Sequence, residues 1–398
     1  MSQQEETAIV LEQPQPAAKR SFWKTIQGDK GIWIIVLLLS LISLAAIYSS
    51  SSSLAFREGK TAFFFLLKQS FFVLFGLTVL YLCHRIPLGW YRKLAFVGIL
   101  ISVALLIITL IAGTTLNDGT RWLNIVGFSF QPAEIAKIAL VLYLAKAIEA
   151  YELKSFKEFL IYILLPVSVI CLLILWGSIS TGVMLGGVAF MIMVVAGVSA
   201  KHLMKAVGLV FAGIVIIVAL AWWTPMFPRI ETAINRITTF VDDDKGNSFQ
   251  ADQAKIAIAS AGFLGKGPGN STQRYVLPHP YSDFIYATIV EEYGIIGGVA
   301  VLLLFLWFFY RTYLIMRFCT RSFSSLLAIG LGMLIVFQAI LHIGVNVNIL
   351  PVTGQTLPLV SLGGTSFVIM SAAFGMILAV SRTIEKGEIS RNDGEAAS

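Results

Sequence analysis

Long apolar stretches alternate with short polar ones along almost the whole chain. Ten of the stretches approach the length of about 20 residues that a helix needs to cross the hydrocarbon core of a bilayer. They lie at 31–48, 62–83, 94–113, 131–147, 158–176, 180–198, 204–222, 284–310, 324–345 and 357–380. Their apolar residues are continuous and lack the alternation of a membrane β-barrel strand. The pattern therefore predicts an all-α integral membrane protein with about ten transmembrane helices.

The polar segments divide the chain further. Residues 1–30 are predicted to form a flexible cytoplasmic tail, residues 31–382 one transmembrane domain, and residues 383–398 a second cytoplasmic tail. Within the domain, residues 223–284 form one long extracytoplasmic loop.

Parts of this loop have helical periodicity. Isoleucines at 230, 234 and 237 recur at helical spacing, and a second such stretch covers 249–261. Both stretches predict short amphipathic helices that lie on the membrane surface. Between them, residues 242–247 are predicted to form an exposed turn.

The composition and the distribution of charge support this topology. Hydrophobic residues make up 57% of the chain and charged residues only 13%, with a mean hydropathy of +0.83. With both termini in the cytoplasm, the cytoplasmic segments hold 18 of the 29 Lys and Arg residues. The short outer loops hold three, which are Arg57, Lys60 and Arg121. The net charge of +7 is thus explained by the excess of Lys and Arg in the cytoplasmic segments, where they contact anionic lipid. The sequence contains no basic soluble surface that would indicate nucleic-acid binding.

Common cofactor motifs are missing from the sequence. The three cysteines have no metal or redox spacing, and the four histidines do not cluster, so no protein-built metal site is expected. Glycines 262, 265, 267 and 269 match neither common nucleotide-binding pattern. They give either a flexible loop or a backbone that approaches another group closely.

One carboxylate, Asp283, stands where the long polar loop meets a very apolar stretch. Short polar side chains such as those of Ser282 and Asp283 often cap a helix, which is one interpretation. A site for chemistry on a lipid-linked polar substrate is the other. Further ionisable residues at or near membrane depth are Lys68, Arg121, Glu134, Lys137 and Arg274.

These ionisable residues also allow two interpretations. Glu134 and Lys137 are three residues apart, so they share a helix face and can pair in an internal network that fixes helix packing. Alternatively, Lys68, Arg121, Lys137 and Arg274 line an outward pocket that binds a diphosphate beside Asp283. The spacing alone leaves both open.

Three separated blocks of sequence resemble a known family. They are residues 117–122 followed by 131–137, residues 269–275 with 279–285, and residues 346–364. Together they resemble the SEDS proteins (shape, elongation, division and sporulation), over roughly residues 30–382 and about ten helices. The loop at 269–271 and the long N-terminal tail are more similar to the division member than to the elongation member.

The resemblance implies a peptidoglycan glycosyltransferase. Such an enzyme polymerises lipid II into glycan strands at the outer face of the cytoplasmic (inner) membrane during cell division. It works with a class B penicillin-binding transpeptidase and other division proteins at the septum. The family's catalytic acid falls on Asp283, and its conserved pocket positions fall on Lys68, Arg121, Glu134 and Lys137.

Two departures from the family pattern limit what can be transferred. Residues 176–181 lack the carboxylate that many members carry there, and Thr353 stands where many relatives have Lys, so neither position is assigned a catalytic part. A divalent cation such as Mg²⁺ or Mn²⁺ could assist the diphosphate, although no dedicated ligands are visible.

The expected reaction is a single displacement. Asp283 takes the proton of a sugar hydroxyl as the general base, and Lys68, Arg121, Lys137 and Arg274 hold the departing diphosphate. Rival interpretations are a transporter that flips lipid II, a non-catalytic scaffold for a transpeptidase, and the elongation-type polymerase. No convincing internal repeat supports the transporter.

Overall fold

Each predicted span contains a helix of the structure. The computed structural model describes residues 27–116, 119–125, 128–223, 238, 240, 249–277 and 279–396. Its helices include α1 (Lys30–Ser50), α2 (Ser52–Glu58), α3 (Ala62–Arg85), α4 (Leu88–Ala112), α5 (Pro132–Ala150), α6 (Phe156–Gly177), α7 (Ile179–Val195), α8 (Ala200–Trp223), α9 (Phe249–Ala259), α10 (Ile285–Phe318), α11 (Ser322–Asn346) and α12 (Gly364–Ala396). All except α2 and α9 occupy the ten predicted stretches.

The predicted fold class is confirmed. In the described part of the chain, seven helices are long and apolar enough to cross a membrane, and α7 is a shorter apolar helix. Most of helix α5 is buried, yet it carries two Lys and two Glu residues, which lower its hydropathy. The protein is a multi-pass integral membrane protein.

Several boundaries differ from the prediction. Helix α4 begins at Leu88, directly after Pro87, which is well suited to the start of a helix. The last span begins at Gly364 and not at 357, because residues 347–363 form a non-helical segment. Helix α12 continues to Ala396, so most of the predicted tail at 383–398 is helical.

The outer segments have structure of their own. The predicted helix at 249–261 is confirmed as α9, whereas the predicted helix around 230–237 and the turn at 242–247 lie outside the described residues. The loop between α4 and α5 contains a small antiparallel sheet of β1 (Thr114–Leu116), β2 (Gly119–Ile125) and β3 (Phe128–Phe130), with β2 in the middle. The loop was predicted without this sheet, which places Arg121 on its central strand.

The core lies around α5 and α11. About four fifths of the α11 span is buried, against less than a third for α3 and α4. Helix α11 packs on α10, α5 and α7, while α4 packs on α5 and α3 packs along α12. Polar groups on α5 and α11 are therefore enclosed by protein, and α3 and α4 leave much apolar surface facing outward.

Contacts between α1 and α10 mark two levels about one hydrocarbon thickness apart. At one end the Arg311 guanidinium Nε donates to the Asp29 carboxylate at 3.0 Å, and at the other the Ser49 hydroxyl donates to the Glu292 carboxylate. About 20 helical residues separate these contacts on each helix, a rise of about 30 Å, which matches the bilayer core. Glu292 and Arg311 therefore mark the two boundaries of the hydrocarbon core, and the predicted topology puts Glu292 at the outer one.

Candidate functional site at the outer end of α10

Asp283 lies just before α10 and does not cap it. The N-cap residue is Phe284, and it makes no side-chain capping hydrogen bond. The first-turn amide of Ala287 instead donates to Asn346 Oδ1, at 3.0 Å, from the end of α11. The capping interpretation of Ser282 and Asp283 is therefore wrong, since another helix supplies the cap.

The backbone around Asp283 is held by the third sequence block. Three successive carbonyls accept hydrogen bonds: Tyr281 O from Leu362 N at 2.9 Å, Ser282 O from Ser361 Oγ at 2.8 Å, and Asp283 O from Asn346 Nδ2 at 3.1 Å. We call residues 281–283 with these three donors the carbonyl clamp. It joins two blocks that are more than sixty residues apart in the chain.

The Asp283 carboxylate lies beside the turn at Gly354. Ser282 Oγ donates to Asp283 Oδ1 at 3.1 Å, and the side chain is half-buried. A β-carbon on Gly354 would lie 3.7 Å from Asp283 Oδ2, and Gly354 has a φ of +66°. The turn thus passes close to the carboxylate with only hydrogen between them.

Glu134 and Lys137 form the predicted ion pair inside the core. Lys137 Nζ donates to Glu134 Oε1 at 2.8 Å and to Gln338 Oε1 at 2.7 Å, and the lysine is 0% exposed. Gln338 Nε2 then donates to Thr356 O at 2.9 Å. The pair therefore belongs to an internal network that ties α5 to α11 and to the segment beside Asp283.

A second polar chain reaches the same segment from α7. Gln355 Nε2 donates to Thr181 Oγ1 at 2.6 Å, and the Thr181 hydroxyl donates to Ser178 Oγ at 2.8 Å. The backbone oxygen of Gln355 accepts from His342 Nδ1 at 2.7 Å. Residues 176–181, which lack the family carboxylate, thus anchor the third sequence block through a hydroxyl.

Arg121 approaches this region from the sheet. Its Nε donates to Gly177 O at 2.7 Å, and its side chain is half-buried. It lines a small pocket with Thr109, Gln131 and Ser178. The arginine is held beside the start of α7, where a pocket opens between α4, α5 and α6.

The structure does not gather the remaining predicted cations at the carboxylate. Lys68 is exposed on α3 and makes no hydrogen bond or ion pair with another described residue. Its buried neighbour Gln69 donates to Ser43 Oγ at 2.9 Å. The Arg274 guanidinium donates to Ser49 O and Oγ, both at 3.3 Å, and to the Tyr275 hydroxyl at 2.9 Å. Arg274 is therefore part of the cluster at Glu292.

The two glutamates of α10 have structural partners. Glu291 accepts from Lys266 Nζ at 2.6 Å, from Thr272 N at 3.0 Å and from the Ser271 hydroxyl, while Glu292 accepts from Ser49. In the described part of the chain, no group of three His, Cys, Asp or Glu side chains is close enough to hold a metal ion.

Sequence reasoning missed the residues that position the site. Gln338, Asn346 and Gln355 contribute most of its long-range hydrogen bonds, yet each is an uncharged amide inside or beside an apolar helix. Their only signal is polarity: amides at membrane depth are costly unless other protein groups satisfy them.

Comparisons with known proteins identify the class of protein. The family model described as cell cycle protein, which covers FtsW, RodA and SpoVE, matches residues 29–386. The chain belongs to this family.

Curated relatives match over nearly the whole chain. A probable peptidoglycan glycosyltransferase FtsW from Thioalkalivibrio sulfidiphilus is 34% identical over 376 residues, which cover 91% of each chain. The stage V sporulation protein E of Bacillus subtilis is 31% identical over 368 residues, covering 90% of this chain and 98% of that protein.

Solved structures share the fold. A chain from a structure described as the structural coordination of polymerization and crosslinking by a peptidoglycan synthase complex is 26% identical with a TM-score of 0.73. It covers 90% of this chain and 98% of its own. RodA of Thermus thermophilus, the rod shape determining protein, has a TM-score of 0.66 at 24% identity and shows the fold alone, over 89% of this chain and 97% of its own.

Proposed function

We propose that this protein is a peptidoglycan glycosyltransferase that polymerises lipid II at the outer face of the cytoplasmic membrane during cell division. The family and the names of its relatives support the reaction class. The single observation that carries the site is the carbonyl clamp, which fixes Asp283 beside Gly354 while leaving its carboxylate half-buried.

The depth of Asp283 suits a lipid-linked substrate. Glu292 marks the outer boundary of the hydrocarbon, and Asp283 precedes it by nine residues. A helix of that length rises up to about 13 Å, which supports a position of the carboxylate in the headgroup region. The diphosphate and the first sugars of a polyprenyl-linked donor occupy the same layer.

The chemistry is one inverting displacement. The hydroxyl of one lipid II sugar attacks the anomeric carbon of a second, lipid-linked chain, and the bond from that carbon to the diphosphate oxygen breaks. Asp283 accepts the hydroxyl proton as the general base, a role that typically contributes 10²–10⁴-fold. The electron pair leaves with undecaprenyl diphosphate, so an α-linked donor gives a β-linked strand.

Cations stabilise the charge that develops on the leaving diphosphate. Arg121 lines an open pocket and Lys68 is exposed, so both can reach a substrate. Lys137 and Glu134 act from inside, because the pair is buried and fixes the segment around Thr356. Arg274 holds the loop that precedes Asp283. A divalent cation, if bound there, would supply further positive charge to the leaving diphosphate.

The cellular setting follows from the family. A class B transpeptidase that crosslinks the new strands is the proposed partner, since a related chain comes from a complex of polymerization and crosslinking. The excess of Lys and Arg in the segments assigned to the cytoplasm supports a cytoplasmic position for both termini. The proposed place of action is the septum. Depletion should give filamentous cells, whereas rounded cells would indicate the elongation-type role.

One variant separates the enzyme from its rivals. Purified Asp283→Asn protein with a matched transpeptidase and labelled lipid II should form no polymer while keeping its melting temperature and partner binding. Asp252→Asn is the matched control and should leave activity unchanged, because Asp252 forms a partly exposed ion pair with Lys255 on α9. Normal polymer from Asp283→Asn would remove the acid from the mechanism. No polymer from the wild type would favour a lipid II transporter or a scaffold.

A further inference from the structure

A loop between α9 and α10 is hydrogen-bonded to a kink in α10. Gly294 interrupts the helix with a φ of +72° and a ψ of −175°, which frees backbone groups on both sides. Four loop–helix hydrogen bonds satisfy them: Lys266 N to Glu291 O at 2.9 Å, Gly267 N to Glu292 O at 2.9 Å, Ile295 N to Gly262 O at 3.1 Å and Ile296 N to Phe263 O at 3.5 Å. Such pairing is needed wherever backbone lies near hydrocarbon.

The two backbones meet without side chains between them. A β-carbon on Gly265 would lie 2.2 Å from Glu292 O, and one on Gly294 would lie 2.1 Å from Phe263 O. Among the loop glycines, Gly265 therefore provides close approach, one of the two roles that the sequence allowed, whereas Gly262 and Gly269 have open space around them. The approach fixes the height of the loop relative to α10.

The tip of the loop is apolar and exposed. Phe263 is 76% exposed and Leu264 is 80% exposed, and their neighbours Ile295 and Ile296 on α10 are also exposed. The next charged residue, Lys266, turns inward and pairs with Glu291 at 2.6 Å. We call Phe263 and Leu264 the loop tip. It presents two large apolar side chains and no charge.

The contacts between α1 and α10 give the depth of the tip. Ile295 and Ile296 follow Glu292 by three and four residues, so they lie about 5 Å inside the outer boundary. The exposed apolar surface continues down α10 through Val299, Leu303 and Leu306. The tip is thus the upper end of a surface that faces the hydrocarbon.

We propose that Phe263 and Leu264 anchor the loop in the outer leaflet by contact with phospholipid acyl chains. The occupant is lipid because the tip lies at hydrocarbon depth, carries no polar group and is continuous with the lipid-facing stripe of α10. The anchor sets the height of the segment that leads through Arg274 to Asp283. The proposed lipid anchor does not depend on the proposed glycosyltransferase reaction.

Spin labelling in nanodiscs tests the depth of the tip. The background replaces Cys83, Cys171 and Cys319 by Ser, and single labels are placed through Leu264→Cys, Leu303→Cys or Pro268→Cys. At 264 and 303, oxygen should collide with the label severalfold more often than a water-soluble nickel chelate does. At the exposed Pro268, on the same loop, the nickel chelate should dominate. Nickel dominance at 264 would overturn the anchor.

Photocrosslinking identifies the occupant without changing the cysteines. A photoreactive phenylalanine analogue at position 264 should crosslink to phospholipid, detected by mass spectrometry, both with and without the transpeptidase partner. Crosslinks only to the partner or to a second copy of this chain would overturn the proposal in favour of a protein interface. The same analogue at Pro268 should give no lipid adduct.

Discussion

The amide of Asn346 links the catalytic candidate to the helix that follows it. Its Nδ2 donates to Asp283 O and to His342 O, and its Oδ1 accepts from Ala287 N. The side chain is 0% exposed, so water cannot replace these bonds. Asn346 therefore positions the acid from α11 without touching the substrate.

Replacing Asn346 should lower kcat more than it changes KM. Asn346→Ala leaves buried backbone groups unpaired, at a cost of about 1–3 kcal/mol, and frees the backbone at Asp283. We expect kcat for lipid II polymerisation to fall about tenfold or more, with KM within about twofold. Asn124→Ala, on the exposed side of β2, is the control. An unchanged kcat in a folded protein would contradict the positioning role.

The ion pair of Glu134 and Lys137 should behave as a unit. Lys137→Met leaves a buried carboxylate without its cation, which costs about 3–5 kcal/mol, so the melting temperature in detergent should drop sharply. Adding Glu134→Gln removes the unpaired charge and should recover most of that loss. A double variant that is stable but inactive would show that Lys137 also acts on the diphosphate. Equal stability of the single variant and the wild type would contradict the network.

At the scale of elements, three glycines separate backbone strain from steric clash. Gly89 has an ordinary φ and open space, Gly262 has a φ of +64° and open space, and Gly265 has a φ of +78° with Glu292 O only 2.2 Å from a β-carbon. Substitution of Gly89 by Ala should therefore leave the stability of the fold nearly unchanged. The same change should destabilise the fold by about 1 kcal/mol at Gly262 and by about 3 kcal/mol or more at Gly265. Thermal unfolding in nanodiscs measures the series. Equal effects at Gly262 and Gly265 would contradict the close approach.

The helices were predictable because each needs a long run of apolar residues, and such a run can be recognised from the local sequence alone. The segment at 347–363 was not fully predictable. Residues 357–362 are apolar apart from Ser361, but they form a buried turn tied to Ser282 and Tyr281. Hydropathy cannot distinguish burial in protein from burial in lipid.

The candidate site was predictable only in part. Spacing predicted the pair of Glu134 and Lys137, since they are on one helix face. The bond from Lys137 to Gln338 joins residues 201 positions apart, and no local pattern encodes it. Arg274 was expected at the diphosphate, but its partner Ser49 is 225 residues away in the chain. Tertiary packing decides such contacts.

At the scale of the whole molecule, Cys319 reports the topology. It lies between α10 and α11, beyond the level of Arg311, and so on the side that the proposed topology assigns to the cytoplasm. In a Cys83→Ser, Cys171→Ser background, a membrane-impermeant maleimide should label inside-out vesicles and spare right-side-out ones. Labelling from the opposite side only would invert the proposed topology.

The same thiol has a distinctive dependence on pH. Burial raises the pKa of Cys319 to about 11, and only the thiolate reacts. Below that pKa, the alkylation rate should rise about tenfold per pH unit, and it should still be rising at pH 10. An ordinary thiol, with a pKa of about 8.5, levels off by then. A plateau near pH 9 would show that the loop opens to water.

The carbonyl clamp has a genetic consequence. Because three consecutive peptide groups next to Asp283 are held by residues 346, 361 and 362, the acid and the distant turn shift as one body. Second-site suppressors of weak alleles at 281–284 should therefore arise in 346–364, far along the gene, more often than among the immediate neighbours of the original lesion. A compound that binds between residues 281–284 and residues 346–364 would displace the Asp283 carboxylate, and so inhibit the enzyme, without contacting that carboxylate.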